Sequence, residues 1–271
     1  MTHGDALGRA MLALNGQRPQ DAERIAGAVL EAEPRHAPAL LIVARALLMQ
    51  GRAQEAIGLL DPAARSRRDP EVETQLAMAL RQVGRNEDAL SRLRRAAKWR
   101  PAHAAAFGEL GSLLVAMERY DEAIEALRKG LEAVPMAPDL SIQLGYVLLR
   151  CRKFSDAKAA LGRALGIAPS SANALFGMAK THQEIGENHA AVEYFRRCLR
   201  LRPDDAAAWL GLGHCLLELG ERDAGYECFR AAARGDLKRY GNALASLVKS
   251  ARGRFWLKPS AAARFLQTAR R

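Results

Sequence analysis

No apolar run in this sequence approaches the ~20 residues that span a bilayer, the longest being stretches such as "PALLIVA" at 38–44, and this excludes a membrane-crossing helix. Cysteine is scarce. Cys151, Cys198, Cys215 and Cys228 stand singly, with no CxxC pair, which argues against a disulfide framework and against a structural zinc ribbon. Aromatic residues are only 6% of the chain, so the 49% hydrophobic content rests on Ala and Leu, a mixture that suits closely approaching helices. The N-terminal stretch lacks the cationic start and apolar centre of a secretory signal, and a cytoplasmic protein is expected. Low-complexity segments are missing too, as are GxSxG, a phosphate loop and a dinucleotide fingerprint. His182, His189 and His214, with Cys198 and Cys215, lack HxxxH or CxxC ligand spacing. Neither enzymatic activity, nor a cofactor, nor a metal site is expected.

Acidic residues are nearly absent from one region alone. Residues 236–271 hold nine Lys or Arg and one acid, a balance of +8, whereas the formal charge of the whole chain is +11. The excess positive charge therefore belongs to the tail, and the rest is almost neutral.

What the sequence does contain is a period. Pro101, Pro135, Pro169 and Pro203 stand 34 residues apart, and Pro34 begins the series two units earlier with a slip of one residue. A fixed interval of this size marks a stack of similar supersecondary units. Between prolines each unit carries two segments with apolar residues at i, i+3, i+4 and i+7, which predicts two amphipathic helices. In one unit, Leu110 and Leu114 share a face, Gly111 leaves room for a neighbouring helix, Ala123 answers it on the second helix and Leu127 fills the seam. Pro135 lacks an amide proton and restrains Val134, so the second helix ends there. Such a hairpin cannot bury its apolar stripe alone, but stacked hairpins can.

These residues resemble the tetratricopeptide repeat family, a 34-residue helix-turn-helix unit. Trp209, Leu212 and Gly213 match the first-helix signature, as do Phe107, Leu110 and Gly111, and Leu144 with Gly145. Small crossing residues recur at Ala22, Ala56, Ala89, Ala123, Ala157 and Ala191, and glycines between the helices at Gly51, Gly84, Gly186 and Gly220. The resemblance implies an all-α, right-handed α-solenoid (superhelix) of about seven repeats, beginning near residues 3, 37, 70, 104, 138, 172 and 206, with a C-terminal capping helix. Residues 1–237 would form the solenoid, and 238–271 the capping helix and basic tail.

The family lines its concave groove with the first helices, so the resemblance implies a scaffold or adaptor that binds a partner peptide or helix there. By phase, the outward positions are Arg45, Thr74, Met78, Arg81, Ser112, Tyr146, Leu149, Phe176, Lys180, Gln183 and His214. The asparagine ladder of related glycosyltransferases is fragmentary, its places being taken by Ile42, Gln75, Glu109, Gln143, Gly177 and Gly211. A substrate-recognition arm for a separate glycosyl- or sulfotransferase is an alternative role. A nucleic-acid partner is not expected. "RLRRAAKWR" at 92–100 reads as the solvated side of a second helix, with Leu93, Ala96 and Ala97 facing the core. In the tail, Leu244, Leu247 and Val248 suit a cap over the last repeat. "RGRFWLKPSAAARFL", residues 252–266, suits either packing on the solenoid or weak peripheral contact with an anionic membrane or RNA.

Overall fold

The computed structural model describes residues 3–66 and 68–234, together with 239, 241–243, 245 and 263. Among the described residues there are fourteen helices and no strand. They pair into seven hairpins: α1 (His3–Asn15) with α2 (Pro19–Ala32), α3 (Ala37–Met49) with α4 (Ala53–Ser66), α5 (Pro70–Gln82) with α6 (Asn86–Ala96), and α7 (Ala104–Ala116) with α8 (Tyr120–Ala133). The remaining pairs are α9 (Pro138–Arg150) with α10 (Phe154–Ile167), α11 (Ala172–Glu184) with α12 (Asn188–Leu201), and α13 (Ala206–Glu218) with α14 (Arg222–Ala232). The chain forms two compact units, Met1–Leu140 and Ser141–Arg271, with the division inside α9. In the first unit each helix packs on the next, and the first helices also touch one another, α1 on α3, α3 on α5 and α5 on α7. In the second unit α10 to α14 pack in the same serial way, and α11 touches α13. The expected all-α construction from stacked hairpins is therefore present within each unit.

Each hairpin turns at one residue in the left-handed region: Gln17, Gly51, Gly84, Glu118, Arg152, Gly186 and Gly220, with φ between 56° and 85°. The backbone closes the same way at each. Beside Glu118, its own N–H donates to the Val115 carbonyl at 3.0 Å and the Arg119 N–H to the Leu114 carbonyl at 2.8 Å, the Schellman pattern that satisfies the last carbonyls of a helix. Glycine supplies this conformation at four turns, as the sequence indicates. At the other three, Gln17, Glu118 and Arg152 adopt it at a steric cost.

Four of the second helices stop directly before a proline, whereas α4 runs through Pro62. Glu33, Val134, Ala168 and Arg202 are C-caps with φ near −130° and ψ near +80°, each directly before a proline. Helix α6 is shorter, ending at Ala96 and leaving Trp99 and Arg100 in turns ahead of Pro101.

Small residues let the helices cross closely. Ala22, Ala56, Ala89, Ala123, Ala157 and Ala191 have no exposed surface. A Cβ on Gly111 would sit 2.8 Å from Cγ of Leu127, and one on Gly145 would sit 2.5 Å from Cγ of Leu161. Leu127 and Leu161 are themselves fully buried, each contributing roughly 2 kcal/mol or more from the apolar surface it hides. Beyond α14, residues 239, 241–243 and 245 are helical, and Ala243 is buried with Leu217, Tyr226, Phe229 and Ala232. Leu244, Leu247, Val248 and, apart from Ala263, the basic stretch 252–266 lie outside the described residues. No described helix is long and apolar enough to cross a membrane.

Candidate functional site

In the N-terminal unit the first helices line an open trough of about 320 Å³. Its walls are Leu7, Met11 and Leu14 of α1 and Leu41 and Ile42 of α3, with Arg45, Glu71 and Gln75 at the rim. The repeat places these side chains side by side, since Met11, Arg45 and Met78 occupy equivalent positions one repeat apart. Met11 and Met78 are exposed methionines, a residue type that adapts to varied apolar partners. Gln75 turns its Oε1 away from solvent with no hydrogen-bond partner among the described residues.

Farther along the same unit, Arg81 of α5 stands 3.8 Å from Glu109 of α7. Burial holds the Glu109 carboxyl above the usual carboxylate range, and the charge of Arg81 only partly offsets this. Ser112 follows on α7 and is half-buried. Thr74 does not belong to this surface. It is buried (3% exposed), and its hydroxyl donates to the Pro70 carbonyl at 2.6 Å. The whole stretch Val72, Glu73 and Thr74 is enclosed at the start of α5, so tertiary packing overrides the helical phase there.

In the C-terminal unit the outward positions are half-buried, and several are engaged. Tyr146 donates its hydroxyl to the Asn173 carbonyl at 2.8 Å, and its ring lies over Gly177, where a Cβ would come within 3.4 Å. Burial pushes the Tyr146 hydroxyl up to about 12, so it stays a donor. Phe176 meets the core ring of Phe195 edge to face, at 5.8 Å between centroids. Lys180 donates to Gln183 at 2.8 Å. His214 packs against Phe229 at 5.1 Å, and burial, with the positive charge of Lys180, lowers its pKa. Leu149 is half-buried. In this unit Gln143 also has a buried, unpartnered Oε1 among the described residues.

The opposite side of the N-terminal unit differs from its sequence reading in one respect. Leu93 and Ala96 face the core, but Arg92 and Arg95 are not simply solvated. Arg92 lies 3.4 Å from Glu73 and 3.0 Å from Asp61, and Arg95 also contacts Glu73. Between α6 and α8 lies a hollow of about 690 Å³, floored by Phe107, Leu110 and Leu114 and edged by Arg94, Lys98 and Glu132. Ala97 also lines it, and stands where the next three hairpins carry Leu131, Leu165 and Leu199.

The histidines and thiols noted in the sequence do not converge. His182 pairs with Glu187 at 2.5 Å and stacks on Tyr194, and Cys198 contacts the Ala172 carbonyl. Burial raises Cys198 and pushes Cys215 to about 11 and Cys228 to about 12, which disfavours the thiolate that a nucleophile needs. Among the described residues, one group of ligand-type side chains does come together: His3, Glu33 and His36. Sequence spacing alone gives no sign of it, because His3 at the start of α1 lies thirty residues before Glu33 in the α2–α3 turn.

Family models described as tetratricopeptide repeat match residues 7–71, 80–142 and 176–238. No curated protein matches the chain by sequence. Among solved structures, PilF of Pseudomonas aeruginosa is similar at 20% identity and a TM-score of 0.59, over 74% of this chain and 92% of that one. YrrB, described as a TPR protein with an unusual peptide-binding site, is similar at 24% identity and a TM-score of 0.55, over 68% and 96% of the two chains. MamA is similar at 20% identity and a TM-score of 0.53, over 70% and 98%. At these identities the likeness is one of fold.

Proposed function

Because this chain belongs to the tetratricopeptide repeat family, we propose that it is a protein-interaction scaffold that holds a partner polypeptide against the first helices of its N-terminal unit. The observation that supports this most directly is the trough over α1, α3 and α5. It combines apolar walls with polar side chains at the rim, features suited to the apolar side chains of an extended or helical segment. Arg45 and Glu71 at the rim would select the charges that flank the apolar anchor. The helices are preformed, so the ordering cost falls on the partner, and a moderate affinity follows. The name given to YrrB, with its peptide-binding site, agrees with a peptide ligand. Tyr146, Phe176, Lys180, Gln183 and His214 offer a second surface of the same kind in the C-terminal unit.

Photo-crosslinking tests the assignment. A photoreactive residue at Met11 or Arg45 is expected to capture a polypeptide in the native cell, whereas one at Glu55, exposed on α4, is not. Equal capture at all three positions, or capture at Glu55 alone, counts against the trough.

A further inference from the structure

His3 opens α1, Glu33 caps the end of α2 and His36 caps the start of α3, and the three side chains meet at one end of the first hairpin. One ligand-type atom from each lies within 4.8 Å of the others. Nδ1 of His3 is 3.2 Å from Oε1 of Glu33, and the two imidazoles stand edge to face with centroids 6.2 Å apart. The backbone beneath is fixed, because the His36 N–H donates to the Glu33 carbonyl at 2.9 Å and closes a tight turn around Pro34 and Arg35.

The other repeats act as an internal control. The position of His3 is Ala37, Pro70, Ala104, Pro138, Ala172 and Ala206 in the remaining first helices, so the fold does not call for histidine there. At the N-cap position, Asp69, Ser171 and Asp205 accept backbone N–H groups through oxygen, the usual device, while His103 stands there before α7 with no side-chain cap bond. His36 fills that role with Nδ1, which accepts the Ala39 N–H at a long 3.3 Å. The preceding turn position is Glu33 here but Arg100, Val134, Ala168 and Arg202 in later repeats. Histidine recurs at this cap as His103 before α7, but among the described residues only the first hairpin joins a capping ligand-type residue to others at the turn and at the start of the preceding helix.

We propose that His3, Glu33 and His36 form a binding site for a borderline divalent cation of the zinc class. Two imidazoles and one carboxylate are the donor set such an ion takes, whereas magnesium and calcium prefer oxygen alone. Ligands bound at ~2.0–2.1 Å in a tetrahedron lie roughly 3.4 Å apart, close to the separation already present between His3 and Glu33. An imidazole nitrogen of His36, within 4.8 Å of the other two ligand atoms, would have to draw closer to complete the set. The fourth position is left to solvent. Binding ties the start of α1 to the α2–α3 turn and so fastens the terminal hairpin.

The test is calorimetric titration of the metal-stripped full chain with Zn²⁺ alone, in a non-coordinating buffer, alongside the thermal midpoint with and without Zn²⁺. One equivalent is expected to bind and to raise the midpoint. His3→Ala, Glu33→Gln and His36→Ser are each expected to weaken binding by about tenfold or more. His36→Ser keeps a capping oxygen, like Ser171 in the same position, so its fold is expected to match the wild type in the absence of metal. Absence of binding, or binding that these variants leave unchanged because it resides on the thiols or on His182, overturns the site.

Discussion

The guanidinium of Arg92 in α6 lies 3.4 Å from the carboxylate of Glu73 in α5, and Glu73 has no surface exposed to solvent. A carboxylate in that position persists only because cations accompany it. Arg92 also reaches Asp61 of α4, so one side chain links two neighbouring hairpins of the N-terminal unit. Glu73→Ala is expected to cost about 2–4 kcal/mol, because Arg92 and Arg95 lose the acid they surround. Urea denaturation followed by circular dichroism measures this, and an unchanged midpoint would show that the network is dispensable.

Glu73 also shows where the sequence stops being legible. An acid in the first turn of a helix is what the helix dipole favours on an open surface, so nothing local distinguishes it from Glu71. Its burial is decided by α6, contributed from farther along the chain. The prolines are the opposite case. Val134 before Pro135 is biased away from the helical region, so the end of α8 can be anticipated from two letters, although α4 runs through Pro62. Ala123 and Leu127 were legible for a similar reason, since a small residue and a large one four positions on leave few ways to pack. The candidate site divides along the same line. Arg45 and Met78 follow from phase, and Met11 lies 34 residues before Arg45 in the same register. The enclosure of Thr74 and the convergence of His3 with Glu33 and His36 depend on contacts between distant segments, which periodicity does not carry.

Two glycines in helix interiors should respond to alanine in opposite directions. At Gly145 the added methyl meets the branch carbon of Leu161 at 2.5 Å, and the expected loss is about 1–3 kcal/mol. At Gly58 nothing lies within 4 Å, and restricting the unfolded chain is expected to give a gain of about 0.5–1 kcal/mol. Thermal denaturation of the two single variants decides it; shifts of the same sign would contradict the packing described for α9 and α10.

Glu118 holds a φ of 59° at the turn between α7 and α8. Glu118→Gly removes the steric cost of that conformation, as Gly84 and Gly186 do at the same point of other hairpins. The expected gain is up to about 1 kcal/mol, tempered by the greater freedom of glycine in the unfolded chain. A lower thermal midpoint for this variant would be inconsistent with a left-handed turn there.

Glu109 gives a dependence on pH. Its carboxyl titrates above the ordinary range in the folded protein because it is half-buried, so the folded state holds that proton more tightly than the unfolded chain does. Its favourable contribution is therefore complete below the unfolded value and is lost as pH rises through the folded one. Glu109→Gln is expected to be more stable than the parent at neutral pH, with the difference fading as pH falls toward about 4. Thermal midpoints of both proteins across that range provide the comparison, and a gap that widened on acidification would reverse the assignment.

Ala97 bears on how such a chain tolerates redesign. Averaging across the repeats would install leucine there, following Leu131 and Leu199, and the recess beside Phe107 would close. Selection for heat resistance alone would thus smooth away an indentation on that flank, trading individuality of surface for uniformity of packing.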